Sequence, residues 1–509
     1  MVRNIHKPVT FTAYFYHGEY VANLSIKSRL LVMLLQSGFS GDRAAMLNTS
    51  VSIISIFGFL LAAAAASPSL YAAAVTAQQQ PELASGPMPG HSTTRAVTVW
   101  LQGNTDAEVV LDYWPDGQPG KIRSSQASSL KSEQQYSAHI TIDGLEPGTS
   151  YHYSVKLNGK PVRIPGKLMF HTQPLWKWRN DPPPFRVVTG SCAYINDAAY
   201  DRPGRPYGDE YDIFTRIAAQ SPDMMLWLGD NVYTREADFD SRWGMAERYR
   251  HTRALPELQP LLHSTHHYAI WDDHDYGPNE ANRSFVLKDQ SLALFKRYWS
   301  NPAYGLPGEP GIFTTFTFRD IDFFLLDNRY QRNSDKAPDR PGKGMLGKQQ
   351  LAWLKDALLR SKAPFKIIAN GSQMLNQFGE RESWRNFPRE RAGFLGWLKE
   401  TGISGVLFLT GDAHFSALTR LEREHDYPLY ELTCSPLTAD PRPKASPSIV
   451  IPPVPDTFVG ERNFCQLDFS GPARARRLTI SVFDADGKKK WQREIAAGEL
   501  QPVTETSPQ

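Results

Sequence analysis

Cysteine is nearly absent from this chain: Cys192, Cys434 and Cys465 are the three in 509 residues. That count excludes a disulfide scaffold and any Cys-rich zinc module. Charge imbalance is also missing. A formal net charge of +3 over this length gives no electrostatic reason to expect a nucleic-acid partner. Charged residues make up 21% and hydrophobic residues 41%, the balance of a soluble globular protein. No internal repeat is visible. The length exceeds what one ordinary core organises, so two or three domains are expected.

The apolar run Val51 to Ala66 stands apart from the rest. Five alanines end it, and small residues follow at Ala72–Ala74 and Val75–Ala77. This is the pattern of a secretory h-region with an A-x-A-type cleavage site, over a leader spanning residues 1–80. A membrane anchor is the alternative, because the run approaches spanning length. The alanine-rich end and the lack of a basic stop-transfer flank favour cleavage near Val75 or Gln78. The h-region begins late, which points to Met46 as the true start, although no Lys or Arg then precedes the run. The expected location is secreted or periplasmic, with no stable membrane partner unless the leader is retained. Gln78 to His91, rich in Pro, Gly, Ser and Gln, reads as a linker.

From Thr94 to Thr172 apolar residues alternate with polar ones. Val97, Val99 and Leu101 form one such series, and Tyr151, Tyr153, Val155 and Leu157 another. Asp143-Gly144, Pro147-Gly148 and Asn158-Gly159 punctuate them as turns. Short alternating strands with turn signals predict an all-β sandwich over residues 90–174. Leu145-Glu-Pro-Gly-Thr-Ser-Tyr151 resembles the corner of fibronectin type III domains, where a Leu plugs the core and a Tyr begins the next strand.

After Asp181-Pro-Pro-Pro184, a stiff spacer, the texture changes. Apolar strands at Phe185–Val188, Met224–Leu228, His267–Trp271, Ile321–Leu326, Phe365–Ala369 and Val406–Leu409 alternate with helical patterns. Those patterns fall at Tyr211–Gln220, Ser284–Trp299, Gly347–Leu359 and Glu390–Glu400. Alternation of this kind predicts an α/β domain over 183–500. Late β signals around Leu467, Ile480 and Trp491 are expected to complete its sheet.

Nearly every one of these strands ends in ligand-type residues. They read Gly190-Ser-Cys192, Gly229-Asp-Asn-Val-Tyr233, Asp272-Asp-His-Asp275, Asp327-Asn-Arg329, Asn370-Gly-Ser-Gln373 and Gly411-Asp-Ala-His414. Strand ends on one edge of a parallel sheet are neighbours in space. Carboxylates gathered there repel one another unless a cation neutralises them, so the pattern points to a metal centre. Taken singly, each residue has an ordinary structural explanation: Asp230 as a helix cap, Tyr233 and Cys192 as core residues, His414 as a core or surface histidine, Arg329 in a surface salt bridge.

The order of these motifs resembles the calcineurin-like metallophosphoesterases, and most closely the PhoD-type alkaline phosphatases, from about Asp181 to Asp440. Gly229-Asp230 with Tyr233 matches the superfamily's Gly-Asp-x-x-Tyr; the "DDHD", "GDAH" and "GSC" segments depart from the superfamily in the PhoD manner. Thr234 and Asp275 depart even from that. The resemblance implies an α/β (α+β) metallophosphoesterase-like sheet sandwich flanked by helices, preceded by the small Ig/fibronectin-like sandwich. It implies Fe3+ and Ca2+ as cofactors, with Mg2+ or Mn2+ also suited to the oxygen-rich second position. Cys192, Asp230, Tyr233, Asp273 and His414 are the candidate ligands, with Asp412 and Asn282 behind them. The expected chemistry is hydrolysis of phosphate esters through a metal-bound hydroxide, with His274 donating a proton to the leaving group. Arg329 offers a planar fork to phosphate, and Asn370 and Gln373 hydrogen bonds to substrate. In an oxidising compartment Cys434 and Cys465 are free to pair, leaving Cys192 for the metal. The partner is a small phosphate-ester substrate, with no nucleic-acid partner required. The motifs do not separate phosphomonoesterase from phosphodiesterase or phospholipase-type activity. A non-catalytic cell-surface binding protein is the remaining alternative, against which the run of strand-end ligands argues.

Overall fold

The computed structural model describes residues 80–375, 382–444 and 450–502. The leader and its cleavage site lie outside them. No helix among the described residues is long and apolar enough to cross a membrane.

The N-terminal part is built from two facing sheets. One has the order β1 (Leu83–Ser92), β2 (Val97–Gly103), β6 (Ser137–Ile142). The other runs β4 (Arg123–Ser124), β3 (Ala107–Pro115), β7 (Ser150–Leu157), β8 (Lys160–Pro161), with β5 (Ser128–Leu130) on β3 and β9 (Met169–His171) on β7. Alternation decides which side chains face inward: Tyr151, Tyr153, Val155 and Leu157 are buried and the residues between them are half-exposed. At the corner Leu145 is fully buried and the Glu146 N–H donates to the Tyr151 hydroxyl at 2.9 Å. That contact is the tyrosine corner of sandwich folds.

The stretch read as a linker is a strand. β1 pairs with β2 through several register irregularities, and Ser85 to Gly90 are buried. Its small and cyclic residues serve close packing rather than slackness. A Cβ on Gly90 would lie 2.2 Å from the Ser300 Cβ, and Gly86 takes a φ of 76°. Glycine is the residue that fits both conditions.

The large lobe holds two six-stranded sheets, the sheet sandwich that the family resemblance implies. The first has the order β12 (His266–Ile270), β11 (Met224–Leu228), β10 (Phe185–Gly190), β19 (Asn463–Ser470), β20 (Arg477–Asp484), β21 (Lys489–Ala496). Its first three strands are parallel, and β19 returns antiparallel against β10. The C-terminal strands therefore complete this sheet, as their period-two pattern predicts. The second has the order β13 (Thr314–Phe318), β14 (Ile321–Leu325), β15 (Lys366–Asn370), β16 (Val406–Thr410), β18 (Asp426–Thr433), β17 (Ala417–Arg423). Here β14, β15, β16 and β18 are parallel.

Phenylalanines join the two layers: Phe185 meets Phe318 at 5.2 Å between ring centroids, and Phe365 meets Phe469 at 5.8 Å. Strands covered on both faces have no room for alternation, which is why β11, β12, β15 and β16 are buried at every position. Helices α1 (Asp212–Ala219), α2 (Arg242–Arg253), α3 (Gln259–Ser264) and α5 (Lys288–Tyr298) accompany the first sheet. In α1, Ile213, Phe214 and Ile217 are the buried stripe, and Phe214 packs on Trp227 of β11. Helices α6 (Lys348–Arg360) and α7 (Pro388–Glu400) bury Leu354 and Leu358, and Phe394 and Leu398. The short α4 (Asp273–Tyr276) follows β12. Cys434, just after β18, is bonded to Cys465 in β19, so one disulfide ties the second sheet to the first.

The sandwich is seated on the large lobe by specific bonds. Tyr153 donates to the His263 carbonyl at 3.0 Å, and Trp100 donates to the Arg297 carbonyl at 2.9 Å. The His171 N–H donates to His266 Nε2 at 3.0 Å, and His266 Nδ1 meets the Gly90 carbonyl at 2.8 Å. A carbonyl only accepts, so Nδ1 carries the proton and His266 is neutral. The Asp181-Pro-Pro-Pro184 spacer is likewise held, with Arg476 donating to the Pro182 and Pro183 carbonyls at 3.1 and 2.8 Å.

Candidate metal centre

The ligand-type residues sit where parallel strands of both sheets end. They were expected along one sheet edge; three strand ends of each sheet contribute instead. The two sets meet because glycines let the backbones touch. The Gly411 N–H donates to the Gly371 carbonyl at 2.9 Å. A Cβ on Gly371 would lie 2.6 Å from Asp272 Cγ, and one on Gly411 would lie 2.7 Å from the Leu228 carbonyl.

Backbone strain marks the same place. Cys192, Asp230, Asp412 and His414 all have positive φ, from 51° to 60°. Non-glycine residues hold that conformation only where surrounding structure enforces it, and such residues cluster at functional sites. Here the enforcement is visible. Ala193 N–H donates to the Asp230 carbonyl at 2.8 Å, and the His414 N–H to Ser435 Oγ at 3.0 Å.

Asp230, Asp273 and His274 present ligand atoms within 4.8 Å of one another, and so do Asp272, Asp273 and Glu382. Asp273 is common to both groups. Cys192 Sγ lies 3.7 Å from Asp230 Oδ2 and accepts from Ser435 Oγ at 3.1 Å. Tyr233 stacks on His274 with ring centroids 4.3 Å apart and packs with Cys192 and Tyr194. Its buried hydroxyl has no hydrogen-bond partner of normal geometry among the described residues, and neither do His274 Nδ1 and Asp272 Oδ2. His414 Nδ1 meets the Asp440 carbonyl at 2.5 Å, which fixes the proton on Nδ1 and leaves Nε2 as a lone pair.

Asp272 and Asp275 are tied to local structure. Asp272 caps α4, and Asp275 completes the capping box while accepting from the Asn231 N–H at 3.0 Å. Arg329, expected to meet phosphate, is fully buried beneath the carboxylates. It pairs with Asp272 and Glu382 and lies 3.5 Å from Asp273. Asn282 uses its side-chain oxygen to accept from the Ser284 N–H at 3.0 Å. Asn370 donates to the Ser372 carbonyl at 2.5 Å, and its oxygen is buried without a partner. Gln373 donates to Thr433 Oγ1 at 3.0 Å. These three brace the loops around the cluster. Glu382 carries no strand-end signal in the sequence, being set in the polar run Glu380-Arg-Glu-Ser-Trp384; only the fold brings it to Arg329.

Burial, then the charges of Asp273 and Cys192, holds the Asp230 carboxyl well above the usual range. Burial pushes Glu382 up to about 7 against the pull of Arg329, and burial, then neighbouring acids, pushes Asp412 up to about 7. Asp272 is likewise pushed up to about 7 by burial, against the pull of Arg329. Asp273 is the exception: burial opposes its ionisation, but His274 and Arg329 outweigh it and hold the group at about 2. Burial, then Asp412, pushes the Cys192 thiol up to about 12. So many anionic groups driven toward their neutral forms describe a site short of positive charge. With the orphaned Tyr233 hydroxyl and Asp272 oxygen and the His414 Nε2 lone pair, the donor set fits metal ions.

A two-sheet α/β lobe with such a centre defines the metallophosphoesterase fold. The family model described as PhoD-like phosphatase matches residues 188–462, and the chain belongs to that family. Residues 80–174 match a model described as a domain of unknown function, DUF7800. Alkaline phosphatase D of Bacillus subtilis (strain 168) is 24% identical over 351 residues, 59% of this chain. The match spans 57% of that relative's length. A solved structure of PhoD superposes with a TM-score of 0.64 at 18% identity, covering 80% of this chain and 91% of that one. Purple acid phosphatase PPD1 from yellow lupin (Lupinus luteus) seeds gives 0.56 at 12% identity, covering 84% and 78%. At these identities the two structures speak for the fold alone.

Proposed function

We propose that the chain is an exported, metal-dependent hydrolase of small phosphate esters. The observation that carries this reading is the convergence of Asp230, Asp272, Asp273 and His274 at the strand ends, with Glu382 joining them from a separate loop. Cys192, Asp230 and Tyr233 would border one ion, and Asp273, Asp412 and His414 another, with Fe3+ and Ca2+ as the pair the family resemblance suggests. Such ions, when bound, neutralise phosphoryl oxygens and acidify water. The protein's own groups supply the remainder. Arg329 holds Asp272 and Asp273 in place from below. The Asp440 carbonyl orients the His414 ring. Burial lowers the His274 pKa and the Asp273 carboxylate, 4.0 Å away, raises it. The net effect is a pKa below the ordinary value; an arriving phosphate dianion would raise it toward imidazolium, so that His274 could pass a proton to the departing alcohol. The Cys434–Cys465 bridge supports maturation in an oxidising compartment.

The test is hydrolysis of an aryl phosphomonoester and an aryl phosphodiester by the full chain, with metal content measured on the same sample. Turnover that disappears with chelation and returns with metal is expected. In ferric protein, Tyr233→Phe should lose or shift a visible absorption band. A metal-free preparation with full turnover would overturn the reading.

A further inference from the structure

We infer that Arg442 is the cation that receives the phosphate group, and that it biases the site toward doubly charged phosphomonoesters. The inference rests on the proposed phosphatase reading. Arg329 is spent on three buried carboxylates, so a substrate dianion needs another partner.

The segment Asp440-Pro-Arg-Pro443 lies directly against the candidate ligand His414. The Arg442 N–H donates to the His414 carbonyl at 2.7 Å, while two positions earlier the Asp440 carbonyl meets His414 Nδ1. On its other side Gly460 closes on the backbone: a Cβ there would lie 2.6 Å from the Arg442 carbonyl and 2.7 Å from Pro443 Cα. Prolines on both sides fix φ at their own positions, so the arginine projects from a stiff backbone.

The neighbouring arginines are engaged in ion pairs, and among the described residues Arg442 is in none. Arg205 pairs with Asp440 at 2.6 Å, and Arg462 reaches Asp440 at 3.6 Å and Asp209 at 3.9 Å. Arg442 is exposed, and among the described residues its guanidinium forms no salt bridge. Its charge nevertheless acts on Asp412, His414 and Tyr207, all at the centre's rim. A planar guanidinium beside the centre suits two oxygens of one phosphate. A dianion gains more from it than a monoanionic diester does.

The experiment compares wild type, Arg442→Ala, Arg442→Lys and the remote charge control Arg360→Ala, all metal-loaded. It reads metal content, inorganic phosphate affinity by calorimetry, and kcat and KM for an aryl phosphomonoester and an aryl phosphodiester. Losing one charged hydrogen-bonding group should weaken phosphate binding and raise the monoester KM by roughly tenfold or more. The diester should suffer less, lysine should restore part of the loss, and metal content and Arg360→Ala should match wild type. Unchanged phosphate affinity, an equal loss on both esters, or a loss that tracks missing metal would each overturn the inference. If wild type hydrolyses neither ester, the phosphatase reading fails instead, and Arg442 is then judged on phosphate affinity alone.

Discussion

Two regions of this protein bury ionisable groups, and they do it in opposite ways. Under the sandwich, His91, His171, His263, His266 and His267 are taken out of water as neutral rings. Burial is the first cause, holding His266 and His267 down at about 3 and His91 at about 4. His266 illustrates the economy: one ring nitrogen donates, the other accepts, and no charge is required. At the strand ends, carboxylates are crowded together with one arginine among them and several atoms left without partners. A buried ring paired at both nitrogens, as His266 is, serves folding. A cluster that leaves polar groups unsatisfied is held for something else to complete.

Breaking the cluster should affect activity most and folding least. Asp230→Asn keeps the shape but removes a charge from a crowded buried set. Turnover should fall by more than about 100-fold with loss of metal, since even supporting partners of a metal ligand are worth about that much. Thermal stability of the metal-free protein should not fall, because like-charge repulsion is relieved. Calorimetry of the apo variant checks this. Arg329→Met should reverse the pattern. It strands buried carboxylates without their cation, costing about 3–5 kcal/mol, which denaturant titration would read.

The seam should respond to acid. The pKa values of His266 and His267 are lower in the folded protein than the unfolded value of about 6.5. Their neutral forms therefore support the fold above that pH, and the support is lost as pH falls from there toward 3. Between pH 6.5 and 5 each fully buried ring should cost roughly 2 kcal/mol. Melting curves at those two values should show the drop, and His266→Gln should flatten part of it. Smallest of all, Tyr153→Phe removes one hydrogen bond to the His263 carbonyl, worth about 1 kcal/mol, and should leave turnover unchanged.

The contrast also explains what was legible in the sequence. Strands buried on both faces announce themselves as unbroken apolar runs, and Met224–Leu228 is a strand over those same residues. The ligand-type residues following them were readable because strand ends carry sites in parallel sheets. Assignment of these ends to two sheets was not, since a run's apolarity says nothing about which neighbour it pairs with. Arg329 shares a strand end with Asp327 and looks substrate-facing in sequence; its burial follows from Glu382, which approaches from a segment without periodicity. β1 was hidden for a different reason. Gly86, Pro87, Pro89 and Gly90 carry loop composition, and only contact with Ser300 and the register of β2 reveals them as packed strand.

Cys434 is joined to Cys465, and the next residue, Ser435, donates to the thiol of Cys192. Maturation must therefore commit two sulfurs and spare the third, which is in contact with the residue next to Cys434. A reducing cytosol leaves all three free, and oxidation after lysis can then choose the wrong pair and cap the thiol proposed as a metal ligand. On the proposed reading, the choice of expression compartment would thus set the fraction of molecules with Cys192 free to bind metal. Counting one free thiol per denatured, unreduced chain is the quality control that distinguishes a competent preparation from a scrambled one.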